Sequence, residues 1–179
     1  MDGVVLDETN QRILHRIIES CHVPHLLFYG PPGTGKTTAA MNLVDEIHAR
    51  HGEGGRECLI HLNASDERGV DVVRQQIARF VRSNGLFKRG ARFVILDEVD
   101  YMTKCAQQRL RTLIQTPDMS GVVFCLICNY ATRIDASLRE EFVSLRFNRL
   151  PRPMVMALLR RIAVREGMVI SDRKLDAVC

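Results

Sequence analysis

The sequence predicts an α/β fold in which helices cover both faces of a parallel, five-stranded sheet. Short apolar runs alternate along the chain with longer segments of helical period. The apolar runs are nearly continuous, as is typical of strands that are buried on both faces. The predicted strands cover His25–Tyr29, Glu57–Leu62, Arg92–Asp97, Gly121–Cys128 and Val143–Phe147. The predicted helices cover Gly35–His51, Val70–Ser83, Thr103–Gln115 and Pro153–Glu166.

The strongest motif comes directly after the first strand. Residues 30–37 read Gly-Pro-Pro-Gly-Thr-Gly-Lys-Thr, which fits G-x-x-x-x-G-K-[ST] between a strand and a helix, a context that argues against a chance match. The glycines let backbone N–H groups approach phosphate oxygens, and the helix N-terminus adds its positive dipole end. We expect Lys36 to bridge the outer phosphates and Thr37 to offer a hydroxyl to Mg²⁺. The predicted nucleotide-binding residues are Gly30, Pro31, Pro32, Gly33, Thr34, Gly35, Lys36, Thr37 and Thr38.

The predicted helix Val70–Ser83 combines an apolar stripe with a basic face. Its apolar stripe consists of Val70, Val73, Ile77, Phe80 and Val81. The arginines that lie away from this stripe are Arg74, Arg79 and Arg82. Residues 72–96 contain six of the 25 basic residues and none of the 21 acids, so the net charge of +4 averages a basic segment and a net-negative remainder. Such a face neutralises nucleic-acid phosphates, and a solvated surface is the alternative.

The third and fourth strands both end in polar residues. Asp97 and Glu98 directly follow one apolar strand, and Asn129 follows the next. We expect Asp97 to hold Mg²⁺ through its water shell and Glu98 to accept a proton from an attacking water. Asn129 is placed to orient that water against the terminal phosphate. The sequence has no acceptor-pocket signature for a phosphotransferase and no guanine-reading Asn-Lys-x-Asp element, so hydrolysis of ATP is favoured.

The pattern changes at residues 150–153, Leu-Pro-Arg-Pro. Beyond this point the pattern is helical only: Pro153 suits a first helical turn, Gly167 suits a helix end, and Ser171 with Asp172 opens a further helix. We therefore predict a nucleotide-binding domain at 1–150 and the beginning of a helical domain at 151–179.

The composition is that of a globular protein. The 179 residues are 46% hydrophobic and 26% charged, which excludes a disordered chain. The longest apolar run, Val122–Cys128, is far shorter than the roughly 18 residues of a membrane span, and the acidic N-terminus has no signal-peptide pattern. We expect an intracellular, soluble protein without a membrane partner. Cys125 and Cys128 share a strand and point to opposite faces, which favours buried thiols over a disulfide or zinc site.

Several segments together resemble one family. The P-loop and the sequence Leu-Asp-Glu-Val-Asp at 96–100 are shared by many AAA+ ATPases. Two further segments point more narrowly: Asn-Ala-Ser-Asp-Glu-Arg-Gly at 63–69, and Ala-Gln-Gln at 106–108 with Leu110 and Arg111. Cys-Asn-Tyr at 128–130 completes the set. Over roughly Leu6 to Val178, the chain resembles the small subunits of the sliding-clamp loader replication factor C.

The resemblance implies a P-loop AAA+ core with a doubly wound five-stranded sheet, followed by the start of a truncated helical lid. It implies that ATP and Mg²⁺ are bound, with Lys36, Glu98 and Asn129 in catalysis and Thr37 and Asp97 at the metal. The family works as a five-subunit ring that loads a sliding clamp at primer–template junctions. The implied partners are other clamp-loader subunits, the sliding clamp and primed DNA. The implied location is the nucleus in a eukaryote, and otherwise the cytoplasm or the replication site.

Basic residues on two helices follow the DNA backbone in this family. Arg68 and Arg74 match the first of these helices, and Arg111 matches the second. The full predicted DNA-binding set, with the remaining residues taken from the basic segment, is Arg68, Arg74, Arg79, Arg82, Lys88 and Arg111.

The chain departs from the family pattern in three places. Where the family has a Ser-Arg-Cys triplet whose arginine reaches the neighbour's ATP, this chain has Glu140, Glu141 and Phe142. The trans-acting finger is therefore either shifted to Arg139 or absent. The family also has an aromatic and basic N-terminal segment, before its own first helix, which forms part of the adenine pocket. That segment is missing here. The chain also ends before the lid arginine and the collar domain, as in a fragment, a truncated gene or a reduced subunit.

Three functions are consistent with this pattern. The first is an ATP-hydrolysing motor subunit that is active only within a ring. The second is an assembly or regulatory subunit that binds ATP but hardly hydrolyses it. The third is another AAA+ DNA machine, such as a helicase loader or a branch-migration motor. The departures favour the second for the isolated chain, whereas Glu98 and Asn129 favour the first within a complex.

Overall fold

The computed structural model of the chain describes residues 6–20, 22–51, 58–65, 70–83 and 91–168. Five parallel strands form one sheet in the order β2-β3-β4-β1-β5, which confirms the predicted fold class. The strands are β1 (Leu26–Tyr29), β2 (Leu59–Asn63), β3 (Arg92–Asp97), β4 (Val122–Cys128) and β5 (Val143–Arg146). The helices are α1 (Glu8–Glu19), α2 (Lys36–His51), α3 (Val70–Ser83), α4 (Lys104–Ile114), α5 (Ala136–Arg139) and α6 (Arg152–Arg165).

Two of these helices are absent from the sequence prediction. Helix α1 begins after Asp7, whose carboxylate accepts the Asn10 backbone N–H at 2.9 Å and thereby caps the helix. Leu14, Ile17 and Ile18 are buried, so the signal of an N-cap followed by an apolar stripe was present in the sequence. Helix α5 spans only four residues and is too short for a periodic pattern.

The strands alternate their side chains between two apolar cores, one on each face of the sheet. Leu26 and Phe28 pack into the core that α1 and α2 cover, whereas Leu27 packs into the core that α3 and α4 cover. The central strand β4 is buried along its whole length. The helices α3 and α4 therefore lie side by side on one face, opposite α1 and α2.

The cysteines of β4 follow this alternation, as predicted. Cys125 belongs to one core and Cys128 to the other, and both are free and buried. Burial raises the pKa of Cys128 to about 12 and that of Cys125 still further, because a thiolate is poorly solvated there. Both groups are therefore neutral thiols that pack as small apolar side chains.

The segment after residue 150 is one helix, α6, in the described part of the chain. Gly167 has a φ of 65° and ends it, with Gly167 N–H donating to Val164 O and Met168 N–H to Ala163 O. The predicted role of Gly167 is thus confirmed. The further helix predicted from Ser171 lies outside the described residues. Among the residues that the structure describes, no helix is long and apolar enough to cross a membrane.

His25 lies just before β1, and the hydrogen bond that its ring accepts requires the neutral form of the side chain. Its Nδ1 accepts the Phe124 backbone N–H at 3.1 Å, and its ring contacts Phe124 and Phe142 with centroids 5.6 Å away. Burial lowers the pKa of His25 from 6.5, and the opposing charge of Glu141 offsets this only in part. A histidine with a lowered folded-state pKa contributes stability that is present above its unfolded pKa and is lost as pH falls through the folded value.

We expect His25→Asn to weaken the loss of stability on acidification. The asparagine oxygen can accept the Phe124 N–H but does not titrate, so the free energy of unfolding should fall less between about pH 7 and pH 5 than in the unchanged chain. Urea denaturation of both proteins at the two pH values measures this difference. An identical fall in both proteins would contradict the prediction.

Candidate nucleotide-binding site

The carboxyl ends of three neighbouring strands build one cleft. Strand β4 lies between β3 and β1, and parallel strands bring their carboxyl ends to the same edge of the sheet. The cleft has a volume of about 330 Å³. The residues that line it are Pro32, Gly33, Thr34, Gly35, Lys36, Thr37, Thr38, Asp97, Glu98 and Asn129. Gly30 and Pro31, the other two predicted nucleotide-binding residues, contribute carbonyl oxygens to its lysine.

The loop between β1 and α2 has a shape that requires glycine. Gly30 has a φ of 145°, and a Cβ there would lie 1.9 Å from the Phe147 carbonyl oxygen. Gly33 and Gly35 have left-handed φ values of 74° and 83°. The Thr34 hydroxyl donates to Pro31 O at 2.9 Å, which closes the loop. Helix α2 begins next, and the first N–H groups of a helix have no partners within it, so they are available to an anion.

Lys36 is buried and connects the loop to β4. Its Nζ donates to Gly30 O and Pro31 O, both at 2.8 Å, and to Asn129 Oδ1 at 3.0 Å. Burial lowers the pKa of Lys36, and the negative charge of Asp97 opposes that effect. The structure thus brings together two residues that the sequence predicts for one site although they are far apart in the chain.

Thr37 and Asp97 form the second junction of the cleft. The Thr37 hydroxyl donates to Asp97 Oδ2 at 2.7 Å. His61 on β2, which is not among the predicted site residues, has its Nε2 3.8 Å from the same oxygen. A hydroxyl beside a carboxylate supplies the hard oxygen ligands that Mg²⁺ prefers, so these residues fit the predicted metal role.

A divalent cation at this place depends on more than the protein. Within the described ranges, no group of three or more His, Cys, Asp or Glu side chains could hold a metal ion. Mg²⁺ is commonly held by one or two carboxylates together with phosphate oxygens and water. The donor set around Asp97 therefore suits a cation that enters with a nucleotide.

Glu98 has an unusual backbone conformation. Its φ of 58° and ψ of 36° are left-handed, and it is the sole non-glycine residue with a positive φ in the part of the chain that the structure describes. Its N–H donates to Asp97 Oδ1 at 2.9 Å, and its carbonyl accepts the Tyr101 N–H at 3.0 Å. Such strained residues concentrate at functional sites, where surrounding contacts hold them. Here the left-handed conformation of Glu98 produces a sharp turn after β3, and Glu98 lines the cleft.

Two buried polar residues outside the predicted site, Asp100 and Gln107, bind backbone groups of neighbouring segments. Asp100 Oδ2 accepts the backbone N–H groups of Asn129 and Tyr130, at 3.3 and 3.2 Å. Gln107 donates to Met102 O and Arg133 O. Its Oε1 also accepts the Asp135 N–H at 2.7 Å. Both residues occur in the segments that carry the family resemblance, but the spacing of a motif does not show which polar side chains point inward.

The predicted DNA-binding residues are placed unequally. Arg79 is exposed on α3, which packs beside α4. Arg111 on α4 is partly buried, and its Nε donates to Glu141 Oε1 at 3.1 Å. Arg74 and Arg82 also lie on α3, but the structure does not describe their side chains, and Arg68 and Lys88 lie outside the described residues.

The segment 140–142, where the resemblance leads us to expect the arginine-finger triplet, makes contacts within the fold. Glu141 accepts from Arg111 and also from Gln115 Nε2 at 2.6 Å. Phe142 is buried against His25. Arg139, the candidate finger, is exposed at the end of α5 and, within the described part of the chain, forms no ion pair.

Curated proteins are similar to this chain over nearly its whole length. Replication factor C small subunit 2 of Pyrobaculum islandicum is 44% identical over 178 residues, which are 99% of this chain and 54% of that protein. The replication factor C small subunit of Thermofilum pendens is 40% identical over 99% of this chain and 54% of its own length. Probable replication factor C subunit 5 of Dictyostelium discoideum is 35% identical over 99% of this chain and 51% of its own length. The chain thus spans about half the length of the curated relatives it matches.

Solved structures show the same fold at low sequence identity. The Thermotoga maritima RuvB Holliday junction branch migration motor superimposes with a TM-score of 0.70 and 18% identity, covering 93% of this chain and 53% of that chain. A variant of Thermotoga maritima RuvB gives a TM-score of 0.74 and 17% identity, with 97% and 55% covered. The family model "ATPase family associated with various cellular activities (AAA)" matches residues 26–150, which contain the whole cleft. The chain belongs to the AAA family of ATPases.

Proposed function

We propose that the chain binds ATP with Mg²⁺ and hydrolyses it as a subunit of a clamp-loader-like ring that places a sliding clamp on primed DNA. The observation that carries the ATPase part is the convergence of Lys36, Asn129, Thr37 and Asp97 in one cleft. The names of the curated relatives support the clamp-loader part. The role places the protein inside the cell, where DNA is replicated.

The residues of the cleft have separate roles in the proposed hydrolysis. When bound, Mg²⁺ would stabilise the negative charge of the ATP phosphates. The first turn of α2 and the Lys36 ammonium bind phosphate oxygens. Thr37 and Asp97 would hold the cation. Glu98 accepts the proton of the attacking water, while the Asn129 amide orients that water.

Two observations bear on the choice between the alternatives. Over the aligned residues, the replication factor C small subunits of Pyrobaculum islandicum and Thermofilum pendens are 44% and 40% identical to this chain, whereas the RuvB structures share only the fold, at 17 to 18% identity. A clamp loader is therefore favoured over another AAA DNA machine. The weakly hydrolysing assembly subunit remains the second candidate, because Glu140, Glu141 and Phe142 replace the finger triplet.

The function is tested with the chain in the presence of partner subunits, a sliding clamp and primed DNA. We expect the chain to be retained on an immobilised clamp with its partners, and ATP turnover to rise when primed DNA is added. Clamp binding with ATP bound but no turnover attributable to this chain would favour the assembly role. A failure to bind the clamp would contradict the clamp-loader proposal itself.

The DNA contact is proposed for the basic face of α3. We expect Arg79→Glu to weaken DNA binding by the assembled complex by roughly tenfold at low salt and to lower the salt slope of the affinity, because exposed positive charge releases counterions from DNA. Arg16→Glu on α1 is the matched control, since it reverses an exposed arginine on the opposite face of the sheet. Equal effects of the two variants would identify Arg79 as solvated surface charge.

A further inference from the structure

Asp100 is a buried carboxylate that does not line the cleft. It lies in the short turn Val99–Tyr101 after β3 and is 5% exposed. Its Oδ2 accepts two backbone N–H groups, and its Oδ1 has no hydrogen-bond partner in the described structure. A buried carboxylate is costly in free energy unless specific partners compensate it. The neighbouring Val99 and Met102 are buried and apolar, so packing alone does not require an acid between them.

The two N–H groups that Asp100 accepts belong to the turn that carries Asn129. They are the amides of Asn129 itself, at 3.3 Å, and of Tyr130, at 3.2 Å. The side chain of Asn129 in turn accepts from Lys36 Nζ at 3.0 Å. One carboxylate thus fixes the backbone of the residue whose amide faces the lysine of the phosphate site.

Asp100 also acts on that lysine through its charge. Its negative charge is among those that raise the pKa of Lys36 against the effect of burial, although that of Asp97 is larger. A substitution that keeps the acceptor oxygen but removes the charge separates these two roles. Asparagine does so, because it has nearly the same shape and a neutral side-chain oxygen.

We propose that Asp100 is a positioning residue for Asn129: it holds the turn after β4 so that the Asn129 amide faces Lys36 and the reacting end of the nucleotide. This inference rests on the proposed ATPase function. It extends that function by a residue that does not line the cleft. Its loss should impair turnover by way of Asn129 and should affect ATP affinity less.

Kinetics of the assembled complex test the proposal. We expect Asp100→Ala to lower kcat by roughly tenfold or more, as for loss of one preorganised group. KM for ATP should change by no more than about threefold in either direction. Asp100→Asn should restore most of kcat. Asp118→Asn, which changes an exposed acid in the turn before β4, is the matched control and should equal the unchanged complex. Equal losses in Asp100→Ala and Asp100→Asn would overturn the proposal, because charge on Lys36 would then explain the effect.

A double-mutant cycle tests whether Asp100 works through Asn129. In the Asn129→Ala variant, Asp100→Ala should have little further effect on kcat, because the amide that Asp100 positions is absent. Independent, multiplicative losses would overturn the proposal.

Amide hydrogen exchange of the chain gives a readout that needs no turnover. The Asn129 and Tyr130 amides should exchange faster in Asp100→Ala than in the unchanged chain, and Asp100→Asn should restore most of their protection. Unchanged exchange at both amides in Asp100→Ala would overturn the positioning role. If the unchanged complex shows no turnover at all, the proposed ATPase function fails, and the exchange measurement still decides whether Asp100 holds the turn.

Discussion

Glu98→Gln is expected to lower ATP turnover of the assembled complex by at least about two orders of magnitude while ATP affinity stays within about threefold. Glutamine keeps the size and the polar character of glutamate, but it cannot accept the proton of the attacking water, and general bases contribute roughly 10²–10⁴-fold. The side chain lines the cleft at a left-handed turn, beside the pair formed by Thr37 and Asp97. Single-turnover hydrolysis and equilibrium ATP binding, measured on the same preparation, separate the two effects.

Glu19→Gln is the control for this measurement. Glu19 is an exposed acid at the end of α1, near the amino end of β1 and so at the opposite edge of the sheet from the cleft. It lies 3.5 Å from His15 Nε2, and its surface ion pair with Arg50 is of the kind that contributes little to stability. Turnover that survives Glu98→Gln unchanged would remove Glu98 from the hydrolytic step.

Gly30→Ala is expected to destabilise the fold by about 3 kcal/mol or more. The new Cβ would lie 1.9 Å from the Phe147 carbonyl oxygen, far inside van der Waals contact, and that oxygen belongs to the backbone. The Phe147 N–H donates to Tyr29 O at 2.7 Å. Relief of the clash would therefore push the end of β5 away from β1. Urea denaturation without nucleotide measures the free energy of unfolding directly.

Gly33→Ala is the matched control in the same loop. Gly33 has a φ of 74°, but a Cβ there meets nothing within 4 Å, so only the cost of the left-handed backbone remains. That cost is about 1–2 kcal/mol. If the two variants lose the same stability, the close approach of Gly30 to Phe147 does not constrain the fold.

The sequence predicts most of the sheet because strand and helix patterns are local. The predicted and observed bounds of β3 and α3 agree to the residue, and the remaining predicted elements differ by one or two residues at their ends. Helix α1 was missed although Asp7 and its apolar stripe were present, and α5 is too short to be read from periodicity. The expectation that Cys125 and Cys128 lie on opposite faces needs only the two-residue period of a strand.

The sequence also determines the members of the cleft. A glycine-rich loop after a strand, and carboxylates and an amide at the ends of later strands, predict a phosphate and metal site, because parallel strands end at one edge. The sequence does not determine which of these side chains touch. The contact between Lys36 and Asn129, 93 residues apart, exists because β4 lies next to β1.

Only the tertiary structure distinguishes the acids after β3. Asp97, Glu98 and Asp100 are three carboxylates within four residues, and their spacing alone assigns them no direction. The left-handed backbone of Glu98 turns the chain, so that Asp97 meets Thr37, Glu98 stays at the cleft and Asp100 points inward to the turn after β4. Local patterns of residue type thus predict the chemistry of the site. The direction of each side chain depends on strand order and on long-range hydrogen bonds, which arise only when distant segments pack together.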